Sequence, residues 1–207
     1  MTRFLVEAHQ HEYVAAGAIE VDAVVTVTAS GADFGARAVD AAEIFIIGVS
    51  GPSSDPTSIV PTARQAATRE AVAAAVDAIR DGARFAVIAG GRHAQRVYPV
   101  AGSLEPASPL TRQEAKRAIS EWIFKPGIAI GSWLTMTDQL FKTSGTSINH
   151  AILLTDGTNE GESPEELERI LETCRGHFQC DCRGLGTEWT VTELGRWRRL
   201  CAEPSTS

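Results

Sequence analysis

The stretch Glu43-Ile-Phe-Ile-Ile-Gly-Val-Ser50 contains only apolar residues and one glycine between its two ends. A strand that is apolar on both faces is typical of the centre of a parallel sheet covered by helices on two sides. Short apolar runs and amphipathic stretches alternate along the chain after this strand, which is the pattern of helices packed on such a sheet. The sequence therefore predicts an α/β fold with a mostly parallel central sheet and helices on both faces.

The remaining elements follow from the same alternation. Further core strands are predicted over residues 84–89, 148–154 and 178–185, and an edge strand over 96–100, because Pro99 lacks a backbone donor. Helices are predicted over 62–81, 111–124 and 129–141, with others that begin at Ser163 and at Thr190. Thr111 and Glu114 match a capping box for the second helix, and residues 101–110 are expected to form a loop.

The N-terminal part has a different pattern. Residues 20–29 alternate polar and apolar side chains and are rich in β-branched residues, which predicts a half-buried strand. Its partner is either residues 4–6 or residues 12–15. We therefore expect a β-rich N-terminal appendage over residues 1–42, an α/β domain over 43–202 and a disordered tail over 203–207.

Composition and charge exclude several classes of function. The 207 residues carry a formal net charge of −7, so the chain has no electrostatic footprint for nucleic acid or an anionic membrane. No apolar run approaches the roughly 20 residues of a membrane span, and Glu7 and His9 interrupt the start where a secretory signal would be apolar. These two features indicate a cytoplasmic protein. All four cysteines lie in the last third, too few and too local for a disulfide-stapled secreted scaffold, which indicates reduced thiols.

Three segments carry a resemblance to a known family. They are Gly48-Val49-Ser50-Gly51-Pro52-Ser53 after a strand, Gly127-Ile128-Ala129-Ile130-Gly131 at a helix start, and Leu153-Leu154-Thr155-Asp156-Gly157 at a strand end. In order and spacing they resemble the von Willebrand factor A domain over residues 43–200. This resemblance implies a Rossmann-like fold in which the three loops meet at the carboxyl edge of the sheet, where open α/β sheets bind ligands. It also implies a divalent cation there, in a metal-ion-dependent adhesion site.

The residues at the ion-binding positions depart from the family pattern. Where the family has Asp-x-Ser-x-Ser, Thr and Asp, this chain has Gly48, Ser50, Pro52, Ile128 and Asp156. Magnesium requires near-octahedral oxygen ligands with carboxylate charge, and three of these five residues have no side-chain oxygen. We therefore predict a degenerate site with no bound metal and no cofactor; Ser53 or Asp55 as substitute ligands is the alternative.

The resemblance implies non-covalent docking of another protein. The β-rich start and the segment 184–189 also look like stand-alone bacterial members, which act as intracellular interaction or scaffolding modules. We therefore predict an interaction module whose partner binds at the loops, through the residues Ser50, Ser53, Gly127, Ile128 and Asp156, with no catalytic residue. The alternative is an enzyme, because Gly48 and Ile128 in place of polar residues vacate space for a small molecule.

The acidic residues of the third loop have two interpretations each. Asp156 is either a remnant ligand that accepts a hydrogen bond from a partner or a residue that caps its own turn. Asn159, Glu160 and Glu162 are expected to form a solvated acidic rim beside it.

A cysteine-rich cluster near the end of the chain could hold zinc. Cys174, His177, Cys180 and Cys182 form a Cys-x2-His-x2-Cys-x-Cys pattern. In a regular strand, however, the α-carbons of Cys180 and Cys182 are about 7 Å apart, too far for two thiolates that each lie ~2.3 Å from one metal. We therefore predict buried apolar thiols that face a helix.

Overall fold

Residues 3–10, 23–30, 40–49, 63–157 and 159–185 are described by the computed structural model, and contacts divide the chain into two units, residues 1–38 and 39–207. In the first unit, strand β1 (Arg3–Gln10) pairs antiparallel with β2 (Ala23–Ser30). Phe4 lies opposite Ala29 and Val6 opposite Val27. Of the two pairings that the sequence left open, the structure forms the one with residues 4–6.

In the described part of the second unit, the helices surround a six-stranded sheet. Its strands are β3 (Ala41–Gly48), β4 (Arg84–Ala89), β5 (Gln95–Tyr98), β6 (Glu105–Pro106), β7 (Ile148–Thr155) and β8 (Gln179–Gly184). Its helices are α1 (Ala63–Ala78), α2 (Pro109–Glu121), α3 (Ile130–Ser144) and α4 (Pro164–Cys174). The strand order is β5-β4-β3-β7-β8; β3 runs parallel to β4 and β7, and β7 parallel to β8, whereas β5 and β6 are antiparallel to β4. The predicted α/β fold is thus confirmed.

Strand β3 explains why the sheet needs helices on both sides. Ile44 and Ile46 pack into a core cluster with α3 and α4, whereas Phe45 and Ile47 pack into a second cluster with α1 and α2. All four side chains are at most 2% exposed. Burial of each such side chain stabilises the fold by roughly 1.5–3 kcal/mol.

The start of α2 differs from the prediction. The capping box consists of Ser108 and Thr111 rather than Thr111 and Glu114. The Ser108 hydroxyl accepts from the Thr111 amide at 3.2 Å, and the Thr111 hydroxyl accepts from the Ser108 amide at 2.9 Å. Pro109 occupies the first helical turn, where its fixed φ suits the helix, so the helix begins earlier. The predicted loop before it contains the short strand β6.

The helix predicted from Thr190 to Cys201 and the tail 203–207 lie outside the described residues. Across the ranges that the structure covers, no helix combines the length and apolarity needed to cross a membrane.

Tyr98 connects the edge strand β5 to helix α2. Its ring stacks on Phe85 with 5.3 Å between centroids, and its hydroxyl donates to Glu114 Oε2 at 3.2 Å. Burial of the phenol, together with the Glu114 carboxylate beside it, raises the pKa of Tyr98 from 10.0 to about 12.

This raised pKa predicts an alkaline titration. Because folding favours the neutral phenol, its stabilising contribution is complete below pH 10 and is lost as the pH rises through 12. In a Tyr13→Phe variant, tyrosinate absorbance at 295 nm should therefore appear near pH 12, and earlier when Glu114→Gln is added. Onset near pH 10 in the folded Tyr13→Phe protein would contradict the burial of this hydroxyl.

Candidate functional site

Loops that follow β3, β4 and β7 meet the start of α3 at the carboxyl edge of the sheet. We call this edge the apex; its described residues are 48–49, 90–93, 127–132, 156–157 and 159–162. Backbone hydrogen bonds join neighbouring strands there: the Asp156 amide donates to the Gly48 carbonyl at 3.3 Å, and the Gly90 amide to the Ile47 carbonyl at 2.6 Å. The three segments singled out from the sequence therefore belong to one site.

The indole of Trp133 fills the space beside Gly48. A Cβ at Gly48 would lie 2.1 Å from Trp133 Cζ3, and one at Gly90 would lie 2.3 Å from Trp133 Cε2. Trp133 is fully buried, and its Nε1 donates to the Gly91 carbonyl at 2.9 Å. The space that Gly48 vacates is thus packed by a side chain of α3. Sequence reasoning missed Trp133; the signal was the glycines that end β3 and follow β4.

Asp156 lies in a partly buried ion pair. Its carboxylate is 1% exposed and accepts a hydrogen bond from Arg64 Nη1 at 3.2 Å. Arg64 belongs to the first turn of α1 and is 39% exposed. The turn that contains Asp156 is closed by the Thr155 hydroxyl, which bonds to the Gly157 carbonyl and amide at 3.2 and 3.4 Å. A guanidinium therefore supplies positive charge beside the carboxylate.

The loop after β7 caps the start of α3. Asn159 Oδ1 accepts from the Ile130 amide at 3.1 Å, and the Glu162 carboxylate accepts from the Gly131 and Ser132 amides at 3.2 and 2.8 Å. These amides lack intrahelical acceptors, and a carboxylate at a helix N-terminus interacts favourably with the helix dipole. The prediction of a solvated rim is therefore wrong for Asn159 and Glu162, which are helix caps, whereas Glu160 is exposed as predicted.

Removal of the Glu162 cap should destabilise the domain. We expect Glu162→Ala to lower the free energy of unfolding by about 1–2 kcal/mol, because two helix-end amides lose their acceptor. Chemical denaturation measures the change. Glu160→Ala is the matched control and should change stability by less than about 0.5 kcal/mol, as at an ordinary surface site. Equal effects of the two substitutions would contradict the capping role.

A cavity of about 390 Å³ opens at the apex beside α3. Its lining residues are Arg92, His93, Gly127, Ile128, Glu160 and Gly161. Gly127 has φ of 94°, and a Cβ there would lie 2.6 Å from Arg92 Cγ, so the arginine stem packs directly on its backbone. The cavity thus combines a glycine-rich floor with three charged or titratable side chains.

The predicted site residues separate into three groups. Gly127 and Ile128 line the cavity, whereas Asp156 lies in the ion pair with Arg64. Ser50 and Ser53 lie outside the described residues. Sequence reasoning missed Arg92 and His93, although both directly follow the Gly90-Gly91 pair at the end of β4.

The cysteine cluster has a different geometry from the one expected. Cys180 and Cys182 have their sulfurs 4.0 Å apart, so the argument that their separation prevents contact with one metal was wrong. The side chains converge although their α-carbons follow the strand. Cys174 Sγ instead contacts the Leu134 carbonyl at 3.9 Å, and His177 Nδ1 lies 2.8 Å from Asp138 Oδ1. Cys174 and Cys180 are buried, as predicted.

Comparisons with known proteins agree with this geometry. A solved von Willebrand factor type A protein from Catenulispora acidiphila is 38% identical with a TM-score of 0.72, and the match covers 96% of this chain and 44% of that one. Proximal thread matrix protein 1 from the mussel byssus is 21% identical with a TM-score of 0.57, covering 78% of this chain and 41% of the other. Manganese-loaded Plasmodium vivax TRAP is 10% identical with a TM-score of 0.54, covering 99% and 70%.

The chain spans less than half the length of the first two of these proteins. A comparison with curated proteins finds no match. The sequence profile of the von Willebrand factor type A domain matches residues 27–197, which is most of the chain. The chain therefore belongs to the von Willebrand factor type A domain family.

Proposed function

We propose that this domain is an intracellular interaction module that docks another protein at the apex without a bound divalent cation. The family generally mediates protein–protein interaction. The observation that carries the cation-free proposal is the pair between buried Asp156 and Arg64, 3.2 Å apart. Cysteine usage supports a cytoplasmic location.

The chemistry of the apex side chains argues against a resident metal ion. Mg²⁺ requires several oxygen ligands, and neither Gly48 nor Ile128 has a side-chain oxygen. Within the described ranges, no three His, Cys, Asp or Glu side chains are grouped closely enough to hold a metal. The guanidinium of Arg64 already compensates the charge of Asp156. By contrast, mussel proximal thread matrix protein 1 has been solved with zinc in its adhesion site.

Packing at the apex favours docking by a pre-formed surface. Trp133 fills the space beside Gly48. A Cβ on Gly157 would lie 2.7 Å from Ile128 Cδ1, so the Ile128 side chain packs closely against Gly157. Apolar side chains therefore fill the space that the missing metal ligands would otherwise leave empty. A packed surface loses little conformational entropy when a partner binds. In this proposal, Ser50 and Ser53 contact the partner rather than an ion.

Site-specific photo-crosslinking in cells of the source organism tests this function. A photoreactive residue replaces exposed His93 at the apex, and a matched one replaces exposed Thr143 at the opposite end of α3. We expect a discrete protein adduct from position 93 and none from position 143. In lysate, the adduct should form equally with magnesium and with EDTA. Equal labelling from both positions, no adduct from position 93, or loss of the adduct in EDTA would overturn the proposal.

The cavity supports a second candidate, an enzyme with a small-molecule pocket. Its volume of about 390 Å³ lies within the range of ligand sites, and Gly127 and Ile128 line it. Purified protein equilibrated with a metabolite extract should then retain a compound that mass spectrometry detects. Arg92→Glu should abolish the retention. Retention by both proteins, or by neither, would contradict this candidate.

A further inference from the structure

Strand β8 carries two thiols on the same face. Cys180 and Cys182 lie two residues apart, opposite Ala151 and Leu153 of β7, with their sulfurs 4.0 Å from each other. Cys180 is 3% exposed, whereas Cys182 is only partly buried, which gives the pair a side open to solvent.

The sulfur separation suits a shared metal ion better than a disulfide. A thiolate–metal bond of about 2.3 Å, as in zinc sites, lets one ion contact two sulfurs up to about 4.6 Å apart. The observed 4.0 Å is within this limit, so small rotations of the two cysteine side chains give the near-linear arrangement of a two-coordinate ion without movement of the strand. A disulfide would require the sulfurs to approach to about 2.05 Å, and therefore the strand to distort.

The number of ligands selects the metal. Structural zinc takes four ligands, and the described part of the chain groups no three His, Cys, Asp or Glu side chains suitably. The described ligands therefore favour a soft ion that two sulfurs can satisfy, and thiolates select Cu(I). We propose that Cys180 and Cys182 form a two-coordinate site for Cu(I). Binding replaces the two thiol protons, which are released to solvent, and gives a dithiolate complex of net charge −1.

Competition for Cu(I) under anaerobic conditions tests the proposal. Reduced protein is titrated into Cu(I) held by bicinchoninate, and the loss of the coloured chelate is followed. We expect the wild type to withdraw one equivalent, and Cys182→Ser to lower the affinity by at least about 100-fold, because one of two ligands is lost. Thermal unfolding by circular dichroism checks that this variant is folded, which we expect because Cys182 is only partly buried.

Serine variants of the other cysteines are the matched controls. Cys201→Ser, at a position outside the described residues, and Cys174→Ser, on α4, should each withdraw copper as the wild type does. No withdrawal by the wild type, full withdrawal by folded Cys182→Ser, or loss of withdrawal in Cys201→Ser would overturn the site. The assay does not depend on the apex, so its outcome is separate from that of the docking proposal.

Discussion

Replacement of Trp133 by alanine is expected to lower the free energy of unfolding by about 3–5 kcal/mol, because a fully buried indole leaves a cavity between α3 and the ends of β3 and β4. The Gly91 carbonyl also loses its donor. Urea denaturation monitored by circular dichroism measures the change. A loss below about 1 kcal/mol, the level of a surface substitution, would contradict the packed apex.

A double-mutant cycle with Gly48→Ala provides the control. The single Gly48→Ala substitution should cost about 1–3 kcal/mol or more, since its Cβ would lie 2.1 Å from the indole. Combined with Trp133→Leu, it should cost clearly less than the sum of the two single substitutions, because the smaller side chain makes room. Additive losses would show that the two residues are not in contact.

Loss of Arg64 is expected to destabilise the domain, and magnesium is not expected to restore its stability. Arg64→Ala leaves the Asp156 carboxylate without its guanidinium partner, and breaking a buried pair costs about 3–5 kcal/mol. We expect the lower end of this range or less, because Arg64 is 39% exposed. Thermal unfolding measures the loss, and millimolar Mg²⁺ should not restore the lost stability, because a single carboxylate provides too few ligands for the ion.

Two further variants complete this test: one removes the charge of Asp156, and the other is a control that removes an exposed arginine. Asp156→Asn in the Arg64→Ala background should recover part of the lost stability, because the negative charge at the buried position is removed. Arg117→Ala breaks an exposed pair with Glu121 and should change stability by less than about 1 kcal/mol. A double variant no more stable than Arg64→Ala, or an Arg64→Ala protein that Mg²⁺ stabilises by several degrees, would contradict this account.

The fold was predictable because the local sequence of β3 shows that both faces of the strand are buried. A strand that is apolar on both faces requires helices on two sides, and Ile44 and Phe45 pack on opposite faces as the pattern indicates. The start of α2 was not predictable, because both Ser108 and Thr111 could serve as the N-cap. The helix begins at Pro109, which makes Ser108 the cap.

The candidate site was predictable in position but not in content. Residues that follow parallel strands meet at one edge, which places Asp156 at the apex, and the family resemblance adds Ile128 of the loop before α3. Contacts between residues far apart in the sequence could not be predicted. Arg64 pairs with Asp156, and Glu162 binds amides at the start of α3. No local sequence pattern indicates either contact. Trp133 was missed because its partners are two glycines, which appear in a sequence only as flexible positions.

Thermal unfolding of the metal-stripped wild-type protein, with and without millimolar Mg²⁺ or Mn²⁺, tests the cation-free apex most directly. A cation that binds only the folded state must raise the melting temperature. At a concentration of 100 times its dissociation constant, it stabilises the folded protein by about 2.7 kcal/mol. We predict no shift, because Arg64 already compensates Asp156. A rise of several degrees that disappears in Asp156→Ala would contradict the account and establish an ion-dependent adhesion site.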